Sequence, residues 1–146
     1  HTYQDKYAGY TIRQLCQEMH DFYKERKVNV LQKHLFLKNY FPIYSISPLE
    51  ANYVLVRGHG ELIDLAEAEG RVALEGGVPY PPGVPCIQPG EKWSKTAIAY
   101  FMALAEVFNL FPGFTPELQG VYMERAADGK FHVYAQVLKK EYEKIL

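Results

Sequence analysis

Cysteine is nearly absent from this 146-residue chain: Cys16 and Cys86 are its only two. Two thiols cannot staple a small secreted fold, so a reduced, cytoplasmic protein is the expectation. An excess of either charge is missing too. Sixteen basic residues against seventeen acidic ones leave a formal charge of −1. The densest basic run, Lys24-Glu25-Arg26-Lys27, falls at the end of an expected helix, where cations complement the helix dipole. That excludes a nucleic-acid partner, which needs a face basic along its whole length. No run of about 18 apolar residues is present to cross a membrane. No signal-peptide pattern opens the chain, which starts at His1-Thr2-Tyr3 without methionine and reads as an excised piece. His1, His20, His34, His59 and His132 are scattered, with no HxxxH or HExxH pair, so no metal site is expected. Gly58-His59-Gly60 opens like a dinucleotide fingerprint, but Ile63 stands where the third glycine belongs and no strand leads in. No GxSxG elbow offers a nucleophile.

What the chain does have is apolar and aromatic mass. Hydrophobic residues make up 48% and charged residues 23%, which is enough for one globular domain spanning 1–146. Twelve tyrosines raise the aromatic share to 14%. Tyrosine joins a large apolar ring to a polar tip, and it is favoured where a partner covers a surface. A Tyr-rich core in an ordinary monomer is the other reading. Proline is concentrated in one place: Pro79, Pro81, Pro82, Pro85 and Pro89, five of the nine, lie within Gly76–Glu91, GGVPYPPGVPCIQPGE. Each fixes φ, removes a donor and holds its predecessor extended. The stretch is therefore neither helix nor central strand. Val78, Tyr80, Val84, Cys86 and Ile87 nevertheless ask for burial, so it reads as a stiff apolar ribbon bent at Gly83 and Gly90. Such a ribbon holds a wall in one shape, or else is a buried connection without chemistry.

Local signals give the elements. Thr11 with Gln14 forms a capping box, and Ile12, Leu15, Cys16, Met19, Phe22 and Tyr23 recur at helical spacing over 11–26. A shorter helix is expected over 29–38. Ser47-Pro48-Leu49-Glu50 starts another, which stops at Gly58. Residues 61–65 read as a strand, and 66–72 are ambiguous between a helical turn and strand. Ser94 caps a helix that Pro112-Gly113 ends near Leu110. Residues 121–125 and 131–137 read as strands joined through Asp128-Gly129, a hairpin signal. Residues 141–146 read as a frayed or helical tail. The fold class is α+β: a single compact domain with several helices, a Pro-rich extended ribbon and a C-terminal β-hairpin.

Four segments, TYQDKYAGYTIRQLCQEMHDFY, EAEGRVALEG, PYPPGVP with PGE, and FPGFTPELQGVY, resemble in order the C-terminal domain of the bacterial-type ornithine/lysine/arginine decarboxylases. The opening block is closest to the ornithine branch. The likeness is weakest over 41–60, and Ile87-Gln88 departs from the two apolar residues the family pattern puts there. The resemblance implies an enzyme that uses pyridoxal phosphate (PLP) to remove CO2 from L-ornithine, leaving putrescine. Lysine or arginine is the alternative substrate. PLP enzymes need a covalent lysine, which in this family follows histidine in a Ser-x-His-Lys pattern. This chain contains none. Trp93-Ser94-Lys95 comes nearest but has no histidine, and Lys95 reads as a solvated first-turn residue. The cofactor is thus expected on the rest of the enzyme, the isolated segment is expected to be inactive, and no catalytic or cofactor-binding residue is assigned here.

The expected contribution is to the surroundings of the substrate. Tyr80 is the candidate for lining the active-site entrance, with pure packing as its alternative. Glu91 is the candidate for charge steering or an interdomain contact, with stabilisation of the helix start at Ser94 as its alternative. Trp93 is named with them, although a packing anchor is the simpler role. Asp5 and Lys6, and Glu67, Glu69 and Arg71, are candidates for a seam with other domains, or ordinary surface charges. The expected partners are the remaining domains of the same decarboxylase, further copies of it in a homo-oligomer, and ornithine. A freestanding, non-catalytic protein-interaction module is the alternative from a different class.

Overall fold

A computed structural model describes residues 3–81 and 83–143. After a short helix α1 (Gln4–Tyr7), helix α2 (Ile12–Glu25) starts on the expected Thr11–Gln14 capping box. Helix α3 (Val28–Leu35) follows a tight link through Lys27, held in the left-handed region. Strand β1 (Ile43–Tyr44) leads into α4 (Pro48–Val56), whose Ser47 and Glu50 also form a complete capping box. Hydrogen bonding to Ser47 holds the Glu50 carboxyl below its ordinary pKa. Strand β2 (Gly60–Asp64) ends in a 3-10 turn at Leu65–Glu67, which settles the ambiguous stretch as a turn followed by bridged, extended chain.

The ribbon contains β3 (Val78–Tyr80) and ends at β4 (Glu91–Lys92). Ser94 then caps α5 (Lys95–Leu110), its side-chain oxygen accepting from the Ala97 N–H at 3.1 Å. Strands β5 (Glu117–Gln119), β6 (Tyr122–Arg125) and β7 (Phe131–Leu138) follow, then α6 (Lys140–Glu143). The hairpin expected through Asp128-Gly129 joins β6 to β7, and the Asp128 carboxylate accepts from Lys130 N–H at 2.9 Å. Parts of two expected elements fall outside the described residues: Pro82 in the ribbon, and 144–146 in the tail.

All strand pairs are antiparallel: β7 sits between β2 and β6, β3 pairs with β5, and β1 pairs with β4. Every second residue of β7 from Val133 to Val137 turns inward, and α5 lies across that face with Ala97, Ile98, Phe101 and Leu104 buried. Burying a side chain such as Phe or Leu contributes roughly 1.5–3 kcal/mol, so this helix-on-sheet contact is the main core. A second core gathers Ile46, Ala51, Val72, Leu74 and Leu138 under α4. A third joins Leu15 and Phe22 of α2 to Val107 and Phe111 at the end of α5. The stripe read along α2 is only half right. Leu15, Met19, Phe22 and Tyr23 face inward, but Ile12 and Cys16, four residues apart on one flank, are exposed.

Candidate functional site

The ribbon is fastened at both ends by backbone contacts. Gly77 N–H donates to Ile87 O at 3.1 Å and Cys86 N–H to Gly77 O at 2.9 Å, closing the loop on itself. At the far end Gly90 lies under the chain leading into α4, and its carbonyl accepts from both Ser45 and Ile46 N–H at 3.0 Å. With φ at +90°, and with Ile46 O only 2.1 Å from where a Cβ would stand, no side chain fits there. Ile87 is buried and Gln88 exposed, so one residue of the divergent pair keeps its apolar role.

Tyr80 closes β3, in register with Glu117 of β5, and its side chain is 55% exposed. The ring is not loose. Gly83, at φ +79°, comes so close that an added Cβ would stand 2.9 Å from Tyr80 Cδ2 and 3.0 Å from Cε2. The turn is closed by Gly83 N–H donating to Pro79 O at 3.0 Å. Tyr80 is thus an aromatic ring held outward from a stiff support.

Glu91 behaves differently from its bland alternative. Its Oε2 accepts from the Gln88 N–H at 2.7 Å, so the carboxylate holds the Pro-Gly turn that precedes it rather than the start of α5, where Ser94 already caps. It is half-buried. Trp93 is 2% exposed and meets Phe101 edge-on, with ring centroids 5.7 Å apart. It is an anchor in the domain's own core. Its indole N–H is buried without an acceptor among the described residues.

The three residues do not converge on one cavity. Trp93 lines a groove of about 340 Å3 with Tyr40, Phe41, Ile43, Lys92 and the first turn of α5, and neither Tyr80 nor Glu91 lines it. Tyr80 stands three strand positions past Gly77, roughly 10 Å along the strand, whereas Trp93 packs against Gly77 itself.

Two of the five seam candidates, Lys6 and Arg71, bond within this domain. Lys6 donates to Leu110 O at the end of α5, and Tyr7 donates to Pro112 O at 2.9 Å. Arg71 is the centre of an internal clasp: Nη2 reaches Glu61 Oε1 and Leu138 O, both at 2.6 Å, and Nε reaches Glu143 Oε1 at 3.2 Å. Asp5, Glu67 and Glu69 are exposed.

The sequence reading missed Glu75 and Tyr122. The Tyr122 hydroxyl donates to Glu75 Oε2 at 2.5 Å, which, with burial as the lesser cause, pushes its pKa from 10.0 up to about 12. The pair meets because Gly120 runs against the Gly76 carbonyl, bringing two segments 47 residues apart into touch. No local pattern signals such a pair. Burial pushes the Cys86 thiol up to about 11.

As to PLP, no described lysine is buried, whereas a lysine that holds a cofactor covalently sits in a water-shielded pocket. Lys95 lies exposed on the first turn of α5. The described residues do not fit a covalently held cofactor. Among the described residues no group of His, Cys, Asp and Glu could hold a metal ion, and no helix is long and apolar enough to cross a membrane.

Residues 29–139 match the family "Orn/Lys/Arg decarboxylase, C-terminal domain". The chain is 55% identical over 137 residues to the inducible ornithine decarboxylase of Escherichia coli K12, covering 94% of this chain and 19% of that protein. It is 56% identical over 135 residues to the ornithine decarboxylase of Haemophilus influenzae, covering 92% of this chain and again 19% of the relative. Among solved structures, lysine decarboxylase A from Pseudomonas aeruginosa superposes with a TM-score of 0.81 at 31% identity, over 91% of this chain and 18% of that one. The chain therefore spans about a fifth of the length of these relatives. On its sequence and its fold alike, it belongs to the Orn/Lys/Arg decarboxylase C-terminal domain family.

Proposed function

We propose that the full-length protein carrying this domain is a PLP-dependent ornithine decarboxylase. It breaks the bond between Cα and the carboxylate of L-ornithine, releases CO2, returns a proton to Cα and leaves putrescine. The observation that carries this reading is a gap in likeness. Ornithine decarboxylases are 50–56% identical to the chain, whereas a lysine and an arginine decarboxylase reach 33% and 29%. The cofactor sits on the remaining four fifths of the enzyme, and this domain packs beside that part and forms one wall of the entrance.

In this reading Tyr80 presents its ring to the incoming substrate from a support that does not bend. Glu91 fixes the turn at the ribbon's other end and keeps a carboxylate on the domain's surface, and Trp93 holds the ribbon from below. A carboxylate near the path of a cationic diamine precursor attracts its charge without burying it unpaired. Glu117, opposite Tyr80, adds to that field. The enzyme works as a homo-oligomer in the cytoplasm, a reducing compartment in keeping with two free thiols.

The test is CO2 release by the full-length protein with PLP and each of ornithine, lysine and arginine. Ornithine and lysine differ by one methylene, which hydrophobic pockets discriminate by about 10–200-fold. A kcat/KM advantage of that order for ornithine is expected, with no turnover by the isolated 146-residue domain. Equal or better activity with lysine or arginine overturns the assignment.

A further inference from the structure

The segment from Phe41 to Val56 departs from what a finished surface looks like. Strand β1 has two residues, and successive strand residues point to opposite faces. Both are bare: Ile43 is 69% and Tyr44 67% exposed. A strand that is apolar on both sides needs cover on both sides, and here only its edge is engaged, by β4.

Helix α4 repeats the pattern. Its sequence, PLEANYVLV, carries one charge, Glu50, and that carboxylate is spent on the Ser47 cap, with Oε2 accepting from the Ser47 N–H at 2.8 Å. The inner face, Ala51 with Val54 and Leu55, joins the second core. The outer face is Leu49, Tyr53 and Val56, spaced four and three residues apart on one stripe, all exposed, with Val56 at 77%. A helix that is apolar all round belongs inside a larger body. Phe41 is exposed as well, at the rim of the groove that Trp93 lines. The guanidinium of Arg57 lies 5.8 Å over the Tyr53 ring and steadies it in place.

We infer that the β1–α4 segment is the face on which the rest of the decarboxylase chain docks. This rests on the proposed reading that the domain works within a full-length enzyme. Relatives that match 94% of this chain devote only 19% of their own residues to it, so a much larger body of the same polypeptide adjoins this domain. Tyr3 and Tyr7 of the opening block and Tyr80 and Trp93 of the ribbon are further candidates for such cover: Trp93 is buried and Tyr7 half-buried within the domain itself, whereas Tyr3 and Tyr80 are exposed. The β1–α4 segment is distinguished by joining an exposed apolar strand to an exposed apolar helix stripe.

The test is hydroxyl-radical footprinting of the full-length protein, with the rate at each side chain referred to the urea-unfolded chain and ornithine decarboxylation measured on the same sample. Tyr44 and Tyr53 are expected to label about tenfold more slowly than when unfolded, as side chains in an interface core do. Labelling within about twofold of the unfolded rate, as free exposure gives, overturns the inference. So does protection that disappears when the enzyme is diluted to single subunits, because a second copy would then be the occupant. The two readings fail separately. An active ornithine decarboxylase with freely labelled Tyr44 and Tyr53 sinks only the docking face, and protection in a protein inert toward ornithine sinks only the reaction. A second check is Val56→Glu, which leaves the inner face of α4 untouched. It is expected to make the domain separable from the remainder by limited proteolysis, while wild-type resistance in this variant counts against the face.

Discussion

Replacing Gly83 by alanine separates support from display in the ribbon. The substitution has two costs, in different places. Alanine at φ +79° occupies the left-handed region, at a cost of about 1–2 kcal/mol to the fold. The new methyl also stands 2.9 Å from Tyr80 Cδ2, short of the ~3.5–4.0 Å that carbon atoms prefer. The ring must therefore retreat by at least about 0.6 Å. Because the ring is largely exposed, the retreat adds little to the stability cost. At an entrance that orients substrate it matters more, since a misplacement of about 1 Å can cost up to a hundredfold in rate.

Tyr80→Ala in the full-length enzyme is expected to lower kcat/KM for ornithine about tenfold, or about 1.4 kcal/mol of transition-state stabilisation. Gly83→Ala should lose a comparable amount. The double variant should be no slower than Tyr80→Ala alone, because both changes remove the same positioned ring. Steady-state kinetics on the four proteins and thermal unfolding of each complete the cycle. Losses that multiply to about a hundredfold, or full activity in Gly83→Ala beside an impaired Tyr80→Ala, refute the idea that Gly83 positions Tyr80. Unchanged kinetics in Tyr80→Ala with a lowered Tm would make Tyr80 a packing residue only.

Gly90→Ala should be far worse for the fold, because the methyl would stand 2.1 Å from Ile46 O, a backbone atom that cannot swing aside. A loss of more than about 4 kcal/mol, read by denaturant unfolding, is expected. Of the two thiols, Cys86 is buried and pushed up to about 11, so a thiol reagent at neutral pH should titrate one cysteine per native chain, Cys16, and two after unfolding. Tyr122 should be among the last tyrosines to ionise. Its hydroxyl is raised from 10.0 to about 12, so the native state holds the proton more tightly than the unfolded chain. The resulting stability is intact below pH 10 and is lost as pH climbs from about 10 to 12. Tyr122→Phe should remove that part of the alkaline loss, which unfolding curves across the interval would show.

The helices were legible because their start signals are local. Thr11 with Gln14 and Ser47 with Glu50 each spell a capping box within four residues, and both boxes form. The Asp128-Gly129 hairpin is equally local. What could not be read is what the fold assembles from a distance. The β1–β4 and β3–β5 pairs involve two or three residues each, too few for a period to emerge, and they exist only because the ribbon folds back. Arg71 reads from sequence as a seam or surface charge because nothing near it reveals Glu143, 72 residues later. Tyr80 and Val84 ask for burial by their apolar bulk, yet both stand exposed while Cys86 and Ile87 are buried. The support of Tyr80 by Gly83 was not legible either, since a proline-rich run says that the chain is rigid without saying what leans on what.

Gly90 lies against the backbone of Ile46, and Gly120 against the carbonyl of Gly76. Fastenings of this kind involve main-chain atoms that every residue possesses, so they survive almost any exchange of the side chains around them. A descendant could replace Tyr80, Glu117 or Gln88 and still inherit the same loop path. The ribbon is in that sense a mount with interchangeable fittings, whose path the glycines keep while the side chains around them change.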